Sequence, residues 1–225
     1  MADTALLHQL KNVFRFKIGN AIVVFDGDGQ DHECLIREFL KDKVIFELRK
    51  SYPSRFMSVL DIWLFASVIK KDKFEWIAEK ATELGVSHIV PILSDRSEKK
   101  SLNMERLKKI VIEASEQSGR GNIPTVHPII KIDESLEYLK SQVSSDKLQV
   151  LAFHTEGMPA HAGELFQGDT LDKEKSTAVF IGPEGGWSER EVEWFHKENV
   201  QMKSLGKQVL RAETAAIAAM VKVIL

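Results

Sequence analysis

Ile-Gly-Pro-Glu-Gly-Gly-Trp-Ser, residues 181–188, is a glycine-rich stretch between two segments of opposite character. The run before it, Thr177 to Phe180, is short, apolar and rich in β-formers, which is typical of a buried strand. The run after it opens with Ser188 and Glu191 at the spacing of a helix capping box. The order is therefore strand, glycine turn, helix. Such a turn at the carboxyl end of a sheet strand is a favoured place for a ligand.

The residues of this turn also indicate what kind of ligand it suits. Gly182, Gly185 and Gly186 predict backbone angles closed to other residues, or a close approach of a ligand to the main chain. Pro183 stiffens the turn. Neither the dinucleotide nor the P-loop fingerprint is present, and Glu184 adds negative charge, so a neutral or cationic ligand is favoured over a polyphosphate. The alternative is a turn without a ligand, because glycine turns between strand and helix are common.

Length and composition are those of an ordinary globular protein. The chain has 225 residues, 44% hydrophobic and 28% charged, enough for one large or two small domains. A net charge of −2 argues against a protein that coats nucleic acid non-specifically, but it allows an RNA enzyme with a local basic patch. The lone cysteine, Cys34, excludes an internal disulfide and fits a reducing cytosol.

Membrane and metal signals are missing from the sequence. The first twenty residues lack the apolar core of a signal peptide, and no apolar run reaches the ~18 residues of a membrane span. The seven histidines are scattered without the spacing of metal ligands. We therefore expect a cytoplasmic protein without a bound metal or a membrane contact.

The pattern of the chain changes near residue 55. Residues 1–55 predict an all-β region that suggests a small barrel, and Ser51 to Arg55 is the predicted linker. Strands and helices then alternate over residues 56–225, which predicts an α/β fold with a mostly parallel sheet. The predicted strands lie within residues 21–25, 34–39, 44–48, 60–69, 88–92, 150–153 and 177–180. The predicted helices end at Gly85 or begin near Asn103, Asp133, Ser188 and Ala212. These elements alone predict an open sheet without a knot.

A second signature closes the chain at residues 205–216, Leu-Gly-Lys-Gln-Val-Leu-Arg-Ala-Glu-Thr-Ala-Ala. Together with residues 181–187 it resembles the paired signature of the bacterial 16S rRNA (uracil-N3)-methyltransferases, the RsmE family of the SPOUT class. Residues 80–86, 113–120 and 8–15 resemble three further motifs of that family, in the family's order, with Phe14 where leucine is usual. The resemblance extends over nearly the whole chain.

The resemblance implies a fold and an activity. It implies a PUA-like, RNA-binding β-barrel at residues 1–55 and a SPOUT methyltransferase domain at residues 56–225 with a C-terminal trefoil knot. It implies S-adenosylmethionine as cofactor and methylation of uridine N3 in 16S rRNA of the small ribosomal subunit. The alternatives are a SPOUT methyltransferase that acts on another RNA and a non-catalytic RNA-binding protein of the same fold. The intact glycine turn and the 205–216 segment argue against the second alternative.

The resemblance also assigns residues to roles. The implied catalytic residues are Glu116, Gln117 and Arg120, near the end of a predicted helix, where a base or cation would help uracil N3 lose its proton. Their alternative is a solvated helix end with an ion pair. The implied RNA contacts are His8, Arg15 and Arg96. The implied cofactor contacts are Phe153, Ile181, Gly182, Pro183, Glu184, Gly185, Gly186, Leu205, Gly206, Val209, Leu210, Arg211, Thr214 and Ala215.

The carboxyl-terminal segment predicts a homodimer, which is also typical of the SPOUT class. From Ala215 to Leu225 it is apolar on nearly every side apart from Lys222. A helix that is apolar all round must be buried all round, and a second copy of the chain can cover the side that its own sheet does not reach. The alternative is a helix covered wholly within its own chain.

Overall fold

A computed structural model describes residues 4–27, 29–54, 60–154, 164–165, 172 and 174–224. The chain divides into two compact units. One comprises Met1–Met57 together with Arg120–Asn122, and the other comprises Ser58–Gly119 together with Ile123–Leu225.

The first unit begins with helical turns, which the sequence analysis did not predict. Helix α1 spans Thr4–His8 and continues as a π-helical turn, Gln9–Val13. Leu6, Leu7 and Leu10 recur at helical spacing and pack against a small core that contains Ile36 and Val44. The prediction that residues 1–55 are all-β is therefore wrong at this end, because the leucine spacing favours a helix.

Three antiparallel strands complete the first unit, in the order β1-β2-β3: β1 (Ala21–Val24), β2 (Gln30–Phe39) and β3 (Val44–Pro53). Ser51, Tyr52 and Pro53 belong to β3, so the linker predicted at Ser51 to Arg55 is wrong over those residues, and Arg55 lies outside the described residues. A proline fits here because β3 is an edge strand and Pro53 is its last residue.

The second unit is the predicted α/β fold. Its strands are β4 (Ile62–Ser67), β5 (His88–Leu93), β6 (Thr125–Val126), β7 (Ile130–Lys131), β8 (Leu148–Phe153), β9 (Glu164–Leu165), β10 (Ser176–Ile181) and β11 (Gln201–Ser204). Its helices are α2 (Lys71–Leu84), α3 (Met104–Ser118), α4 (Ile132–Gln142), α5 (Glu189–Lys197) and α6 (Ala212–Ile224), with a 3-10 turn at Ser145–Lys147. All strand pairs are parallel, in the order β6-β5-β4-β10-β8-β11-β9, and β7 also pairs with β5.

The sheet lies between two layers of helices, because strand side chains alternate between its faces. Val179 and Ile181 of β10 join a core with apolar residues of α2, α3 and α6. Ala178 and Phe180 join a second core with residues of α4 and α5. Strand β10 pairs with β4 on one side and β8 on the other, so the glycine turn begins from a buried central strand.

Local signals placed most helix ends correctly. Gly85 caps α2 in the left-handed region, with φ of 111°. The side chain of Asn103 accepts a hydrogen bond from the backbone N–H of Arg106 at 3.0 Å and so caps α3. Ser188 and Glu191 form the predicted capping box of α5. None of the described helices is long and apolar enough to cross a membrane.

Candidate functional site

A cavity lies where three neighbouring strands of the second unit end. It encloses about 520 Å³, its open mouth included, at the carboxyl ends of β10, β8 and β11. This place is usual for a small-molecule site in a parallel sheet. The residues that line it are Phe153, His154, Ile181, Gly182, Pro183, Gly186, Trp187, Leu205, Gly206, Gln208, Leu210, Ala212 and Ala215.

The lining is mostly apolar. Among the described residues, no Lys, Arg, Asp or Glu side chain lines the cavity. A polyphosphate would find no cation here, whereas a neutral or singly cationic ligand with apolar parts is compatible with the walls. The expectation drawn from the turn sequence therefore agrees with the composition of the cavity.

Two glycines leave space beside the backbone of the cavity. Gly186 has φ of 68° and Gly206 has φ of 133°. Residues with a side chain rarely adopt these backbone angles. A Cβ added at either position would meet no other atom within 4 Å. Both glycines line the cavity, so a ligand can approach the main chain there.

The other two glycines of the turn act through their size. Gly182 and Gly185 have no positive φ, so the unusual backbone angles predicted for all three glycines occur only at Gly186. A Cβ on Gly182 would lie 3.2 Å from the ring of Trp187, and one on Gly185 would lie 3.3 Å from Cδ of Arg96. These two positions are small because a neighbouring side chain passes closely.

Trp187 fastens the glycine turn to strand β8. Its side chain is 2% exposed, and its indole Nε1 donates a hydrogen bond to the backbone oxygen of Phe153 at 2.9 Å. Its ring meets Phe195 of α5 edge-on, with centroids 5.0 Å apart. Trp187 also lines the cavity.

The start of α5 is joined to the loop that follows β5. The carboxylate of Glu191, which is 0% exposed, accepts hydrogen bonds from the backbone N–H groups of Ser188 at 2.7 Å and Asp95 at 2.8 Å. The hydroxyl of Ser188 donates to the carboxylate of Asp95 at 2.6 Å. A buried carboxylate is costly unless it is hydrogen-bonded, and here it holds two segments together.

Arg190 strengthens the same junction. Its Nη2 donates to Asp95 at 2.7 Å and its Nη1 donates to Asp133 at 2.8 Å. Hydrogen bonds from Arg190 and Ser188 lower the pKa of Asp95, and the two carboxylates raise the pKa of Arg190. Arg96 continues the link, because its Nη1 donates to the backbone oxygen of Gly185 at 2.7 Å. The glycine turn is thus braced from the side of β5.

The cavity brings together most of the predicted cofactor residues. Those that line it are Phe153, Ile181, Gly182, Pro183, Gly186, Leu205, Gly206, Leu210 and Ala215. Those that do not line it are Glu184, Gly185, Val209, Arg211 and Thr214. His154, Gln208 and Ala212 line it without having been predicted. Gln208 and Ala212 lie within the 205–216 signature, and His154 directly follows a predicted strand, so position alone was the available signal.

The three predicted catalytic residues lie in the last turn of α3 and just after it. Glu116 and Gln117 lie on the last turn of α3, and the pKa of Glu116 is raised by partial desolvation and by Glu113. The helix ends at Ser118 because Gly119 adopts the left-handed conformation, with φ of 70°. Arg120 lies two residues beyond Ser118, near this helix end, and clusters with the first unit.

Arg120 is buried in polar surroundings. Its side chain is 4% exposed, and its Nη2 donates to Oδ1 of Asn122 at 3.2 Å. In the same unit, the backbone N–H of Gly29 donates to the oxygen of Gly121 at 3.1 Å, which fixes this segment. Burial lowers the pKa of Arg120 to about 10, so the guanidinium keeps its charge at neutral pH.

The predicted RNA contacts occupy both units. His8 and Arg15 are exposed in the first unit, and Arg15 has φ of 55°, which is uncommon for a residue other than glycine. Arg96 is exposed in the second unit, beside the glycine turn that its guanidinium contacts.

Two histidines form a polar cluster at the opposite edge of the sheet. His88 Nδ1 lies 3.0 Å from His127 Nε2, Asp61 Oδ1 lies 3.3 Å from His88 Nε2, and His127 Nδ1 lies 2.8 Å from the hydroxyl of Tyr138. The ring of Trp63 stacks on His88, with centroids 3.7 Å apart. Among the described residues, no group of three or more His, Cys, Asp or Glu side chains is arranged to hold a metal ion.

Comparison with known proteins assigns the family. Residues 57–224 match the family model of an RNA methyltransferase domain. The ribosomal RNA small subunit methyltransferase E of Rickettsia conorii is 30% identical over 224 residues, which cover 99% of this chain and 88% of that protein. The chain belongs to the ribosomal RNA small subunit methyltransferase E family. This agrees with the resemblance found in the sequence.

Solved structures of the same kind have the same fold. The ribosomal RNA small subunit methyltransferase E of Neisseria gonorrhoeae, bound to S-adenosyl methionine, superposes with a TM-score of 0.85 at 31% identity, covering 98% of this chain and 88% of that one. A putative methyltransferase of Legionella pneumophila, in complex with the same cofactor, gives a TM-score of 0.82 at 27% identity over 96% of this chain and 87% of that one. The family therefore extends over both units of the chain.

Proposed function

We propose that this chain transfers the methyl group of S-adenosylmethionine to N3 of a uridine in 16S rRNA of the small ribosomal subunit. The observation that carries the proposal is the uncharged cavity at the carboxyl ends of β8, β10 and β11, in a chain of the methyltransferase E family. The relatives' name supplies the small subunit as substrate.

The cavity residues fit S-adenosylmethionine. Its adenosine and methionine parts suit apolar walls such as Phe153, Leu210 and Trp187, and its polar atoms can reach the main chain at Gly186 and Gly206. When bound, the cofactor supplies an electrophilic methyl group on a sulfonium whose leaving group departs neutral. The walls exclude water and hold the ligand in one orientation, which can provide much of the rate of a methyl transfer.

The acceptor requires more help than the donor, because uracil N3 is a poor nucleophile until it loses its proton. We assign to Arg120 the stabilisation of negative charge on the uracil, since its pKa of about 10 keeps it cationic. Glu116 and Gln117 are the other candidates for this step, and the raised pKa of Glu116 suits a group that exchanges protons.

The RNA contacts, domains and assembly complete the proposal. Residues 1–55 are assigned to a PUA-like RNA-binding barrel with His8 and Arg15, and residues 56–225 to a SPOUT domain with a C-terminal knot and with Arg96 at the RNA.

Homodimer formation is supported by α6, whose Val221 stays 38% exposed while Ala216, Ala219 and Val223 are buried. Light scattering that gave a monomer with full activity would contradict the dimer. Because ribosomal subunits are its substrate, the protein is assigned to the cytoplasm.

One experiment tests the main proposal. The protein is incubated with methyl-labelled S-adenosylmethionine and small subunits from a strain that lacks this activity, and the modified base is mapped. Label on N3 of a single 16S rRNA uridine is expected. Label only on another RNA would favour a SPOUT enzyme with a different acceptor. If the protein binds RNA but neither transfers label nor binds the cofactor, a non-catalytic RNA-binding protein is favoured.

A further inference from the structure

Three charged side chains meet beside the cavity without lining it. Nζ of Lys73, in the first turn of α2, lies 3.4 Å from Oε1 of Glu184 and 3.5 Å from Oε1 of Glu213. Their side chains are partly buried, with 26%, 35% and 15% exposed for Lys73, Glu184 and Glu213. Water therefore screens these pairs less than it screens fully exposed ones.

The two glutamates belong to the two segments that border the cavity. Glu184 lies in the glycine turn, between the lining residues Pro183 and Gly186. Glu213 lies in the first turn of α6, between the lining residues Ala212 and Ala215. Helix α2 lines no part of the cavity, yet its ammonium group joins the two segments that do.

Glu213 has Lys73 as its ion-pair partner. Its second carboxylate oxygen, Oε2, is buried and accepts no hydrogen bond from the part of the chain that the structure describes. Without the ammonium group, a partly desolvated carboxylate would lose its ion-pair partner and would face a second carboxylate at Glu184. The expected response is a separation of the glycine turn from α6.

We propose that Lys73 is a positioning residue that holds these two borders at the separation that the cofactor requires. The inference rests on the proposed function, in which the cavity binds S-adenosylmethionine. Lys73 acts through Glu184 and Glu213 and makes no contact with the cofactor or the reacting atoms.

A positioning role and a purely electrostatic role of Lys73 predict different effects on the affinities of two ligands. S-adenosylmethionine carries one more positive charge than its demethylated product, S-adenosylhomocysteine, and the two are otherwise nearly the same shape. Loss of the lysine charge makes the cluster more negative, which by electrostatics alone favours the cation over the product. Loss of positioning instead weakens both ligands by the same factor, because the shape of the cavity changes for both.

The test is calorimetry of both ligands with Lys73→Met, Lys73→Arg and a matched control, Lys80→Met. Lys80 lies on the same helix and also contacts two glutamates, Glu79 at 2.7 Å and Glu83 at 2.8 Å, but neither borders the cavity. Lys73→Met should raise both dissociation constants by at least about fivefold, while Lys80→Met leaves them unchanged. Lys73→Arg should restore binding to within about twofold, since arginine can reach both carboxylates.

Kinetics and a milder variant keep the test decisive. The KM for S-adenosylmethionine should rise in Lys73→Met while kcat at saturating cofactor stays near the wild-type value. If Lys73→Met does not fold, Glu184→Gln, which keeps the Lys73–Glu213 pair, should still weaken both ligands by about twofold. Wild-type binding by folded Lys73→Met, or by Glu184→Gln in its place, would overturn the inference, as would an effect on one ligand alone. Failure of the wild-type protein to bind either ligand would instead refute the proposed function.

Discussion

The two edges of the parallel sheet use polar residues in opposite ways. At the amino edge, Asp61, His88, His127 and Tyr138 are hydrogen-bonded or ion-paired to one another, and Trp63 stacks against them. At the carboxyl edge, glycines and apolar side chains line the cavity, and charged groups stand beside it. The titratable side chains of the amino edge thus bind one another, while the proposed site consists of backbone and apolar side chains. Reactive residue types alone are therefore a poor guide to the site.

The largest expected effect comes from filling the carboxyl edge. Gly206→Val places a branched side chain at φ of 133° on the cavity lining. Affinity for S-adenosylmethionine should fall by at least about 100-fold, or ~2.7 kcal/mol. Gly19→Val is the matched control, because Gly19 also has positive φ, at 89°, and open space around its Cβ, but lies in the first unit. Calorimetry that shows equal affinity for the two variants would remove Gly206 from the site.

The amino edge should respond to acid instead. Burial, and then the charge of His88, lower the pKa of His127 to about 4, whereas an unfolded histidine titrates near 6.5. Between these pH values the unfolded chain binds a proton that the folded chain does not. The contribution of neutral His127 to the free energy of unfolding is therefore fully present above pH 6.5 and is lost as the pH falls toward 4. The loss should be roughly 2 kcal/mol between pH 6.5 and 4.5, measured by urea unfolding.

Two variants separate burial from hydrogen bonding at this edge. His127→Gln should reduce that pH dependence, because it removes the titrating ring. Tyr138→Phe should keep the pH dependence and lower stability at neutral pH by about 1 kcal/mol, since burial is the main cause of the shift and only one hydrogen bond is lost. An unchanged slope in His127→Gln would assign the acid response to other groups.

Substitution of Arg120 tests whether activation of the uracil depends on a residue that belongs to neither of these two groups. Arg120→Ala should retain cofactor affinity while turnover falls by at least about tenfold, or ~1.4 kcal/mol in the barrier. Because Arg120 is buried, Arg120→Lys serves as a second variant that keeps the charge. Arg106→Ala, an exposed arginine paired with Glu75, is the control. Wild-type turnover by a folded Arg120→Ala at saturating subunits would exclude the proposed role.

The smallest effect is expected at Gly185, although the sequence ranked it with the other turn glycines. Its φ is not positive, it does not line the cavity, and an added Cβ would meet only the flexible stem of Arg96 at 3.3 Å. Gly185→Ala should change cofactor affinity by less than about twofold, because an arginine stem can shift by a few tenths of an ångström. A loss comparable to that of Gly206→Val would mean that the ligand reaches this side of the turn.

Elements that depend on interactions between neighbouring residues were predictable from the sequence, and elements that depend on distant contacts were not. The strand–turn–helix from Ser176 to Lys197 and the caps at Gly85 and Asn103 depend on neighbouring residues, so they were predictable. Strands β6, β7, β9 and β11 have only two to four residues, too few to show a period, and were not predicted.

The site was predictable only as two segments of chain. Only some residues of the segments 181–186 and 205–215 face the cavity. The selection depends on backbone angles and on contacts of Trp187, Arg96 and Lys73, and no local sequence pattern reveals these contacts. The contact between Asp95 and Arg190 likewise joins residues far apart in sequence.

The central place of strand β10 has a consequence for how the protein is made. Its residue Thr177 pairs with Ile62 of β4, 115 positions earlier in the chain. At the usual pace of synthesis, roughly 6 to 23 seconds separate the appearance of these two partners on the ribosome. During that interval β4 and β8, which β10 joins, have no partner between them, and the turn that borders the cavity has not been made. The cavity is therefore among the last features a nascent chain can complete, and a chain that stops short of residue 176 cannot form it.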